Sequence, residues 1–321
     1  MLMAFNGDFA GLLSGGCLEG DLREYALEVI ETGKPRIVTY DMRGGDDVIW
    51  GLGLGCEGAM RILLTRVGPD NDWQPLAHLA HCLARYERTS VGIVVESERA
   101  DSPVGTIVGE GASQHPGLDA VLDESMRTGR TGWFETSSPR WQVFALPLSL
   151  PPQILLLGAG PDAEPVVYFA ARLSWKVTLV DHRPAYADAS HFLFAERVVH
   201  AQPDDLLSVL DPSRFSAAVV MSHHLPADLK YLRALAATNI PYIGLLGPAV
   251  RRERLLADLG PDAGKVRQRL HAPVGLALGG RAPESIALAI VAEIHAFVHL
   301  DEGHAHGPEM SSNDAAVVKN A

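Results

Sequence analysis

The chain has 321 residues, of which 47 % are hydrophobic and 21 % are charged, a composition typical of a globular protein with room for two domains. Its formal net charge of −12 argues against a large nucleic-acid-binding face and against binding to an anionic membrane surface, because both require clustered Lys and Arg. We expect a cytoplasmic protein for three reasons. The three cysteines have no CxxC spacing, the start has no basic signal-peptide region, and no apolar run reaches the ~18 residues of a membrane span.

The first 150 residues predict a small α+β domain. A hairpin is expected across Asn6-Gly7-Asp8, and a helix over 18–32 should end at Gly33. The other elements read from hydrophobic periodicity are strands over 35–41 and 59–67, a helix over 76–87, strands over 91–96 and 105–109, a helix over 118–127 and two antiparallel strands within 131–147. The prolines at 151 and 152 mark a linker to a second domain.

Residues 151–300 predict a second domain of α/β class, in which apolar strands alternate with helices. The expected strands cover 154–158, 176–181, 217–222 and 242–247, and the helices lie near 164–174, 204–210, 227–237 and 250–259 and after Pro283. Such alternation is typical of a parallel sheet with helices on both faces. The tail 301–321 is polar, and we expect it to be disordered.

The start of this second domain carries a nucleotide-binding motif. An apolar run, Ile154–Leu157, ends in Gly158-x-Gly160-x-x-Ala163, and a second strand-like run stops at Asp181. The first glycine permits a tight turn, the second lets a pyrophosphate approach the backbone, and the small third residue lets helix and strand pack closely. Asp181 lies 23 residues after Gly158, near the ~20 expected for an acid that holds ribose hydroxyls. The pattern predicts a Rossmann-like domain whose turn binds an anion.

Polar residues follow the predicted strands at the sheet edge where ligands of such folds bind. Arg183 follows one strand, and His223 follows another; for His223 we weigh a ligand-contacting or proton-donating role against a hydrogen bond that only caps the sheet. Arg251, Arg252 and Arg254 open a later helix. Because guanidinium groups match phosphate, these arginines form either an anion clamp or a solvated helix face.

The first domain carries a second group of candidate residues, centred on cysteines. Cys17 falls at the predicted N-terminus of the first helix, where the helix dipole stabilises a thiolate, whereas Glu19 nearby disfavours a further negative charge. Cys56 lies within a glycine-rich stretch. Thiolates suit soft partners such as molybdenum–sulfur centres or a persulfide sulfur. The alternative for Cys56, and our interpretation of Cys82, is a small core residue.

These segments together resemble the XdhC/CoxI family, accessory proteins for molybdenum hydroxylases such as xanthine dehydrogenase and carbon monoxide dehydrogenase. The matching segments are SGGCLEGDL at 14–22, WGLGLGCEG at 50–58, LLLGAG at 155–160, VTLVDHRP at 177–184, SHHLPADL at 222–229, YIGLLG at 242–247 and HAPVGLALGGRAPESIALAIVAEI at 271–294. Comparison with the family pattern indicates that the chain begins inside the family's first domain. The chain departs from that pattern at Glu57, Pro161, Pro248 and Ala277.

The resemblance implies an accessory factor rather than an enzyme: a chaperone that binds the molybdenum cofactor, protects it, supports its sulfuration and inserts it into an apo-hydroxylase. That hydroxylase and a cysteine desulfurase would be its partners. The oligomeric state stays open, with a homodimer among the alternatives. The cofactor would be molybdopterin or its dinucleotide form, with Cys17 near the molybdenum. The residues expected to bind it are Cys17, Glu19, Cys56, Gly158, Gly160, Ala163, Asp181, Arg183, His223, Arg251 and Arg252. Two alternatives stay open, an NAD(P)-dependent oxidoreductase that uses Asp181 and the same turn, and a docking protein with a vacant pocket.

Overall fold

Two units make up the chain in the computed structural model, Met1–Leu150 and Pro151–Ala321. The division falls beside the two prolines at 151 and 152. Within residues 1–13, 16, 18–41, 59–109 and 115–300, which the structure describes, no helix is both long and apolar enough to cross a membrane.

The first half of unit one contains a hairpin, a helix and a strand pair. Its elements are β1 (Leu2–Met3), β2 (Phe9–Ala10), α1 (Glu19–Thr32), β3 (Arg36–Asp41) and β4 (Ala59–Leu64). The hairpin β1–β2 and the pair β3–β4 are both antiparallel. Helix α1 ends where Gly33 adopts φ 69°, a left-handed conformation that glycine tolerates. Leu18, Leu22 and Ile62 form a small core that joins the helix to the strand pair.

The second half of unit one is a four-stranded antiparallel sheet with a helix packed on it. Its elements are α2 (Leu76–Arg85), β5 (Ser90–Ser97), β6 (Ile107–Gly109), α3 (Pro116–Thr128), β7 (Gly132–Ser137) and β8 (Arg140–Pro147). The strand order is β6-β5-β8-β7. Leu118 and Leu122 of α3 pack on Val94, Trp141 and Val143 of the sheet, and all five side chains are buried. The hydrophobic periodicity of the sequence therefore predicted these strands and helices correctly.

Unit two is built around a six-stranded parallel sheet. Its elements are β9 (Gln153–Leu157), α4 (Ala163–Arg172), β10 (Lys176–Asp181), β11 (Arg197–His200), α5 (Leu206–Val209), β12 (Ala217–Val220), α6 (Leu225–Ala236), β13 (Tyr242–Leu245), α7 (Ala249–Leu259), α8 (Ala263–Arg267), β14 (Leu270–His271) and α9 (Pro283–Leu300). The strand order is β11-β10-β9-β12-β13-β14, and every neighbouring pair is parallel. Counted from β9, this order is 3-2-1-4-5-6, that of a doubly wound dinucleotide-binding sheet.

Helices cover both faces of this sheet, as predicted. Side chains alternate along each strand, so Leu155 and Leu157 of β9 face one core with α6, α7 and α8. Ile154 and Leu156 face the other core, which they share with α4 and α9. Because both faces are covered, every residue of β9 is buried, which explains the continuous apolar run in the sequence.

The two edge strands, β11 and β14, were not predicted. Strand β11 has exposed residues at both ends, and β14 is only two residues long. An edge strand has a neighbour on one side only, so its sequence carries a weaker apolar signal than a central strand. The sequence therefore predicted the four central strands and missed the outer pair.

Candidate functional site

The candidate site lies at the carboxyl ends of β9 and β12, where the strand order reverses direction. In open α/β sheets ligands bind at this switch point. Gly158 follows β9 with φ 126°, and a Cβ at this position would lie 2.6 Å from the backbone of Met221 and Ser222. A side chain cannot fit there without moving the end of β12. Gly158 is therefore required for the packing of the turn against the neighbouring strand.

The second glycine of the motif faces a carboxylate of the same turn. A Cβ on Gly160 would lie 2.6 Å from Oδ1 of Asp162, the residue that precedes α4. Oδ2 of Asp162 is 2.8 Å from Nε2 of His223, which follows β12. Asp162 and His223 thus form a contact from one side of the switch point to the other. The sequence motif marks both glycines but gives no signal that Asp162 and His223, 61 residues apart, are neighbours.

Asp181 ends β10 and is completely buried, with an exposed fraction of 0 %. Its Oδ2 accepts hydrogen bonds from the backbone N–H of Ala159 at 2.8 Å and from Nη2 of Arg183 at 2.8 Å, and Oδ1 accepts from N and Nε of Arg183. Burial raises the pKa of Asp181, but these hydrogen bonds outweigh it, so its pKa lies below the ordinary value. In this geometry Asp181 ties the glycine turn to β10, and Arg183 neutralises its charge.

A cavity of about 480 Å³ lies beside the glycine turn. Ala159, Gly160 and Pro161 form one part of its wall, and the remaining wall comes from α4 and from the segment 185–194 after β10. Its aromatic lining consists of Tyr168, Tyr186, Phe192 and Phe194, with Glu164 as an acidic neighbour. The guanidinium of Arg183 lies over the ring of Tyr186, 3.8 Å from its centroid, and the ring centroids of Tyr168 and Phe194 are 5.7 Å apart.

Sequence reasoning missed this cavity, although a signal is present. The segment SHFLF at 190–194 places three large apolar residues in a loop between two strands, and the structure leaves Leu193 and Phe194 exposed. Adjacent exposed apolar side chains that form a contiguous patch, unlike a single exposed residue, indicate a binding surface.

Asp228, in the first turn of α6, is also completely buried and is paired with Arg251. Nη2 of Arg251 donates to Asp228 Oδ2 at 2.5 Å, and the hydroxyl of Ser222 donates to the other carboxylate oxygen. Nη1 of Arg252 donates to the backbone carbonyl of Ala272 at 2.7 Å. The structure therefore places the guanidinium groups of Arg251 and Arg252 on separate protein partners. The anion clamp, one of the two interpretations of these arginines, stays a prediction.

Glu293 of α9 is a third carboxylate with several hydrogen-bond donors. Its oxygens accept from the hydroxyl of Tyr242 at 2.8 Å and from the backbone N–H of Gly275 at 2.6 Å, and Nδ1 of His271 lies 2.9 Å away. Burial raises the pKa of Glu293, but these donors outweigh it and hold the pKa below its ordinary value. Glu293 therefore anchors the loop that follows β14. This contact gives a structural role to part of the 271–294 segment that resembles the family pattern.

The candidate residues of unit one are described only in part. Cys17 and Cys56 lie outside the described residues. Glu19 is buried, and its Oε1 accepts a hydrogen bond from the backbone N–H of Leu13 at 3.1 Å. Cys82 is buried in α2, with Sγ 3.7 Å from Nε2 of His78. Across the described part of the chain, the structure contains no group of three or more His, Cys, Asp or Glu side chains that could hold a metal ion.

Six parallel strands in this order, with a glycine turn at the switch point, define a Rossmann-type fold. Residues 154–294 match the family model described as the XdhC Rossmann domain, and residues 1–41 match the model of the XdhC and CoxI family. A Bacillus subtilis protein, named as a probable subunit of xanthine dehydrogenase, is 32 % identical over 92 % of this chain and 86 % of its own length. The chain belongs to the XdhC/CoxI family, so the resemblance seen in the sequence is confirmed.

Two further relatives cover most of the chain. The molybdenum cofactor insertion chaperone PaoD of Escherichia coli is 23 % identical over 92 % of this chain and 76 % of its own length. A crystal structure described as a xanthine dehydrogenase from Bacillus halodurans has a TM-score of 0.73 and 29 % identity, over 95 % of this chain and 87 % of that one. Similarity therefore extends over both units of the chain.

Proposed function

We propose that this protein binds the molybdenum cofactor and takes part in its insertion into a hydroxylase of the xanthine dehydrogenase type. The names of two relatives support this role, one a molybdenum cofactor insertion chaperone and the other a probable subunit of xanthine dehydrogenase. The observation in this chain that carries the proposal is the aromatic cavity beside the glycine turn.

The cavity fits the organic part of this cofactor in size and chemistry. Its volume of about 480 Å³ lies within the ~300–1,000 Å³ typical of small-molecule sites. A pterin is a flat, polar, bicyclic ring, and Tyr168, Tyr186 and Phe194 offer aromatic surfaces against which such a ring can stack. Glu164, at one wall, supplies a carboxylate that can accept hydrogen bonds from the N–H groups at the edge of the ring.

In this proposal the residues around the cavity bind and shield rather than react. The aromatic side chains cover the ring and exclude water from it, and Arg183 holds Tyr186 in place by stacking on it. Asp181 keeps the glycine turn fixed to the sheet. When bound, the cofactor would bring its molybdenum and sulfur chemistry ready-made, so the protein needs only to hold and release it.

The geometry of Asp181 favours this role over an NAD(P)-dependent oxidoreductase. That alternative depends on Asp181 as the acceptor for ribose hydroxyls. Both oxygens of Asp181 already accept hydrogen bonds from Ala159 and Arg183, and the side chain has no exposed surface. A ribose could reach this carboxylate only after those bonds were broken.

The finer features of the role are proposals that rest on the family resemblance. Cys17 and Cys56 would provide sulfur ligands near the molybdenum, and Glu19 lies two residues after Cys17 in the sequence. The protein would act with a cysteine desulfurase during sulfuration. A homodimer is a separate proposal that does not rest on this resemblance. We expect Cys17→Ala to lower the amount of bound cofactor. Equal amounts in the variant and the wild type would remove Cys17 from the site.

The cavity is tested by measuring the pterin that the purified protein carries. Tyr186→Ala and Phe194→Ala are each expected to lower the affinity for isolated molybdenum cofactor about tenfold, because each removes one stacking surface worth roughly 1–1.5 kcal/mol. The readout is the fluorescence of the oxidised pterin released from the protein after equilibration with cofactor. Leu173→Ala is the matched control, since Leu173 is an exposed apolar residue at the other end of α4.

Two outcomes would contradict the proposal at different levels. If the wild type retains no cofactor at any concentration tested, the proposed function is wrong. If the wild type binds cofactor and all three variants bind it equally well, the function stands but the cavity is not its site.

A further inference from the structure

The glycine turn of unit two differs from an ordinary dinucleotide-binding turn in what occupies the space beside its second glycine. In such turns the missing side chain at this position lets a pyrophosphate approach the backbone. Here Oδ1 of Asp162 lies 2.6 Å from the position of a Cβ on Gly160. The space that the glycine leaves open is thus filled by a carboxylate of the protein itself.

This carboxylate is held in place from the far side of the switch point. Nε2 of His223 lies 2.8 Å from Asp162 Oδ2, and Asp162 keeps only 25 % of its side chain exposed. His223 has φ 60°, a backbone conformation that is uncommon for any residue other than glycine and is often found at functional sites. The helix dipole at the start of α4 further stabilises a negative charge here.

Two arginines of this sheet edge are held by other carboxylates rather than by Asp162. Arg183 is paired with Asp181, and Arg251 is paired with Asp228. A ligand phosphate that approached Gly160 would therefore meet a like charge at close range, and repulsion between like charges at a partly buried position is costly.

We propose that Asp162, held by His223, is a specificity determinant that excludes pyrophosphate-bridged ligands from the glycine turn. The excluded class comprises dinucleotides such as NAD(P) and any dinucleotide form of the molybdenum cofactor. Ligands that place a ring system in the neighbouring cavity without a diphosphate beside Gly160 are admitted. This inference goes beyond the proposed function, because it concerns the turn whether or not the cavity binds a pterin.

The experiment measures the affinity of the full chain for ADP-ribose, a probe that carries the pyrophosphate of a dinucleotide. Asp162→Asn keeps the size of the side chain and removes its charge, and we expect it to strengthen ADP-ribose binding at least about tenfold, which corresponds to about 1.4 kcal/mol. Asp258→Asn is the matched control, since it makes the same change at an exposed position in the last turn of α7, outside the cavity and the glycine turn. We expect it to change the affinity less than about twofold. Isothermal titration calorimetry provides the affinities.

Three results would overturn the proposal. One is tight ADP-ribose binding by the wild type, and a second is an equal gain in Asp162→Asn and Asp258→Asn, which would indicate only a general effect of charge. The third is no gain in Asp162→Asn, and Asp162→Ser serves as a second variant should the first fail to fold. Ser also suits a position before a helix and opens the space beside Gly160, so the same gain is expected from it.

Discussion

Two regions at the ligand edge of unit two use aspartates in opposite ways. Asp181 and Asp228 are completely buried and are each paired with an arginine. Asp162 is partly exposed and is paired with His223, whose side chain is 60 % exposed. A buried carboxylate with an arginine partner holds two elements together, whereas an exposed carboxylate beside the ligand position can respond to what binds. Aspartates at the same sheet edge thus have different roles: Asp181 and Asp228 stabilise the fold, whereas Asp162 selects among ligands.

The largest loss of stability is expected when the buried aspartate–arginine pairs are broken. Asp181→Ala removes the acceptor for Ala159 and leaves Arg183 without its partner, and Asp228→Ala leaves Arg251 unpaired. Each should lower the free energy of unfolding by about 3 kcal/mol, since removal of one member of a buried ion pair leaves an uncompensated charge. Urea unfolding followed by circular dichroism measures the change.

The exposed pair between Asp204 and Lys230 provides the control for this prediction. Both side chains are about half exposed or more, so Asp204→Ala should cost about 0–1 kcal/mol. If Asp181→Ala and Asp204→Ala lower the free energy of unfolding equally, burial does not set the structural importance of these carboxylates.

A loss of stability of intermediate size is expected when the pH is lowered. The pKa values of Asp181 and Glu293 lie below their ordinary values in the folded protein, because burial, which raises them, is outweighed by hydrogen-bond donors. Each carboxylate therefore stabilises the folded state fully above its ordinary pKa, and this contribution is lost as the pH falls through the lower folded-state pKa. The free energy of unfolding should decrease below about pH 4.

Asp181→Asn sharpens this prediction, since an amide does not titrate. The variant should be less stable at neutral pH, and its stability should depend less on pH in the acid range than that of the wild type. Unfolding midpoints in urea at several pH values from 7 downward provide the comparison. Parallel pH profiles for the two proteins would show that Asp181 does not contribute to acid unfolding.

The smallest effect on stability is expected for the exposed pair across the switch point. Asp162→Asn and His223→Asn should each change the free energy of unfolding by about 1 kcal/mol or less, because solvent screens this contact. Asn also tolerates the positive φ of residue 223. Thermal unfolding measures the change, and a loss as large as that of Asp181→Ala would make this pair structural like the other two.

Much of unit two could be predicted from the sequence because local patterns encode it. The apolar run of β9, the glycines after it and the spacing to Asp181 indicated a parallel, doubly wound sheet, and the structure has that sheet. Edge strands β11 and β14 were missed because a strand with one neighbour needs fewer apolar residues. The hydrogen-bond partners of Asp181 could not be predicted for a different reason: spacing shows where a carboxylate lies along the chain but not which donors surround it.

The sequence by itself determined the order of the helices and of the four central strands in unit two and the position of the glycine turn, since each depends on periodicity and on residues close together in the chain. Only the tertiary structure decided which charges are neutralised and which remain available to a ligand. Asp162 meets His223 across 61 residues, and the cavity joins α4 to the segment after β10. Such contacts depend on how the strands are ordered in space, because pairing energies and burial act between atoms that are near each other in the folded chain and distant along it.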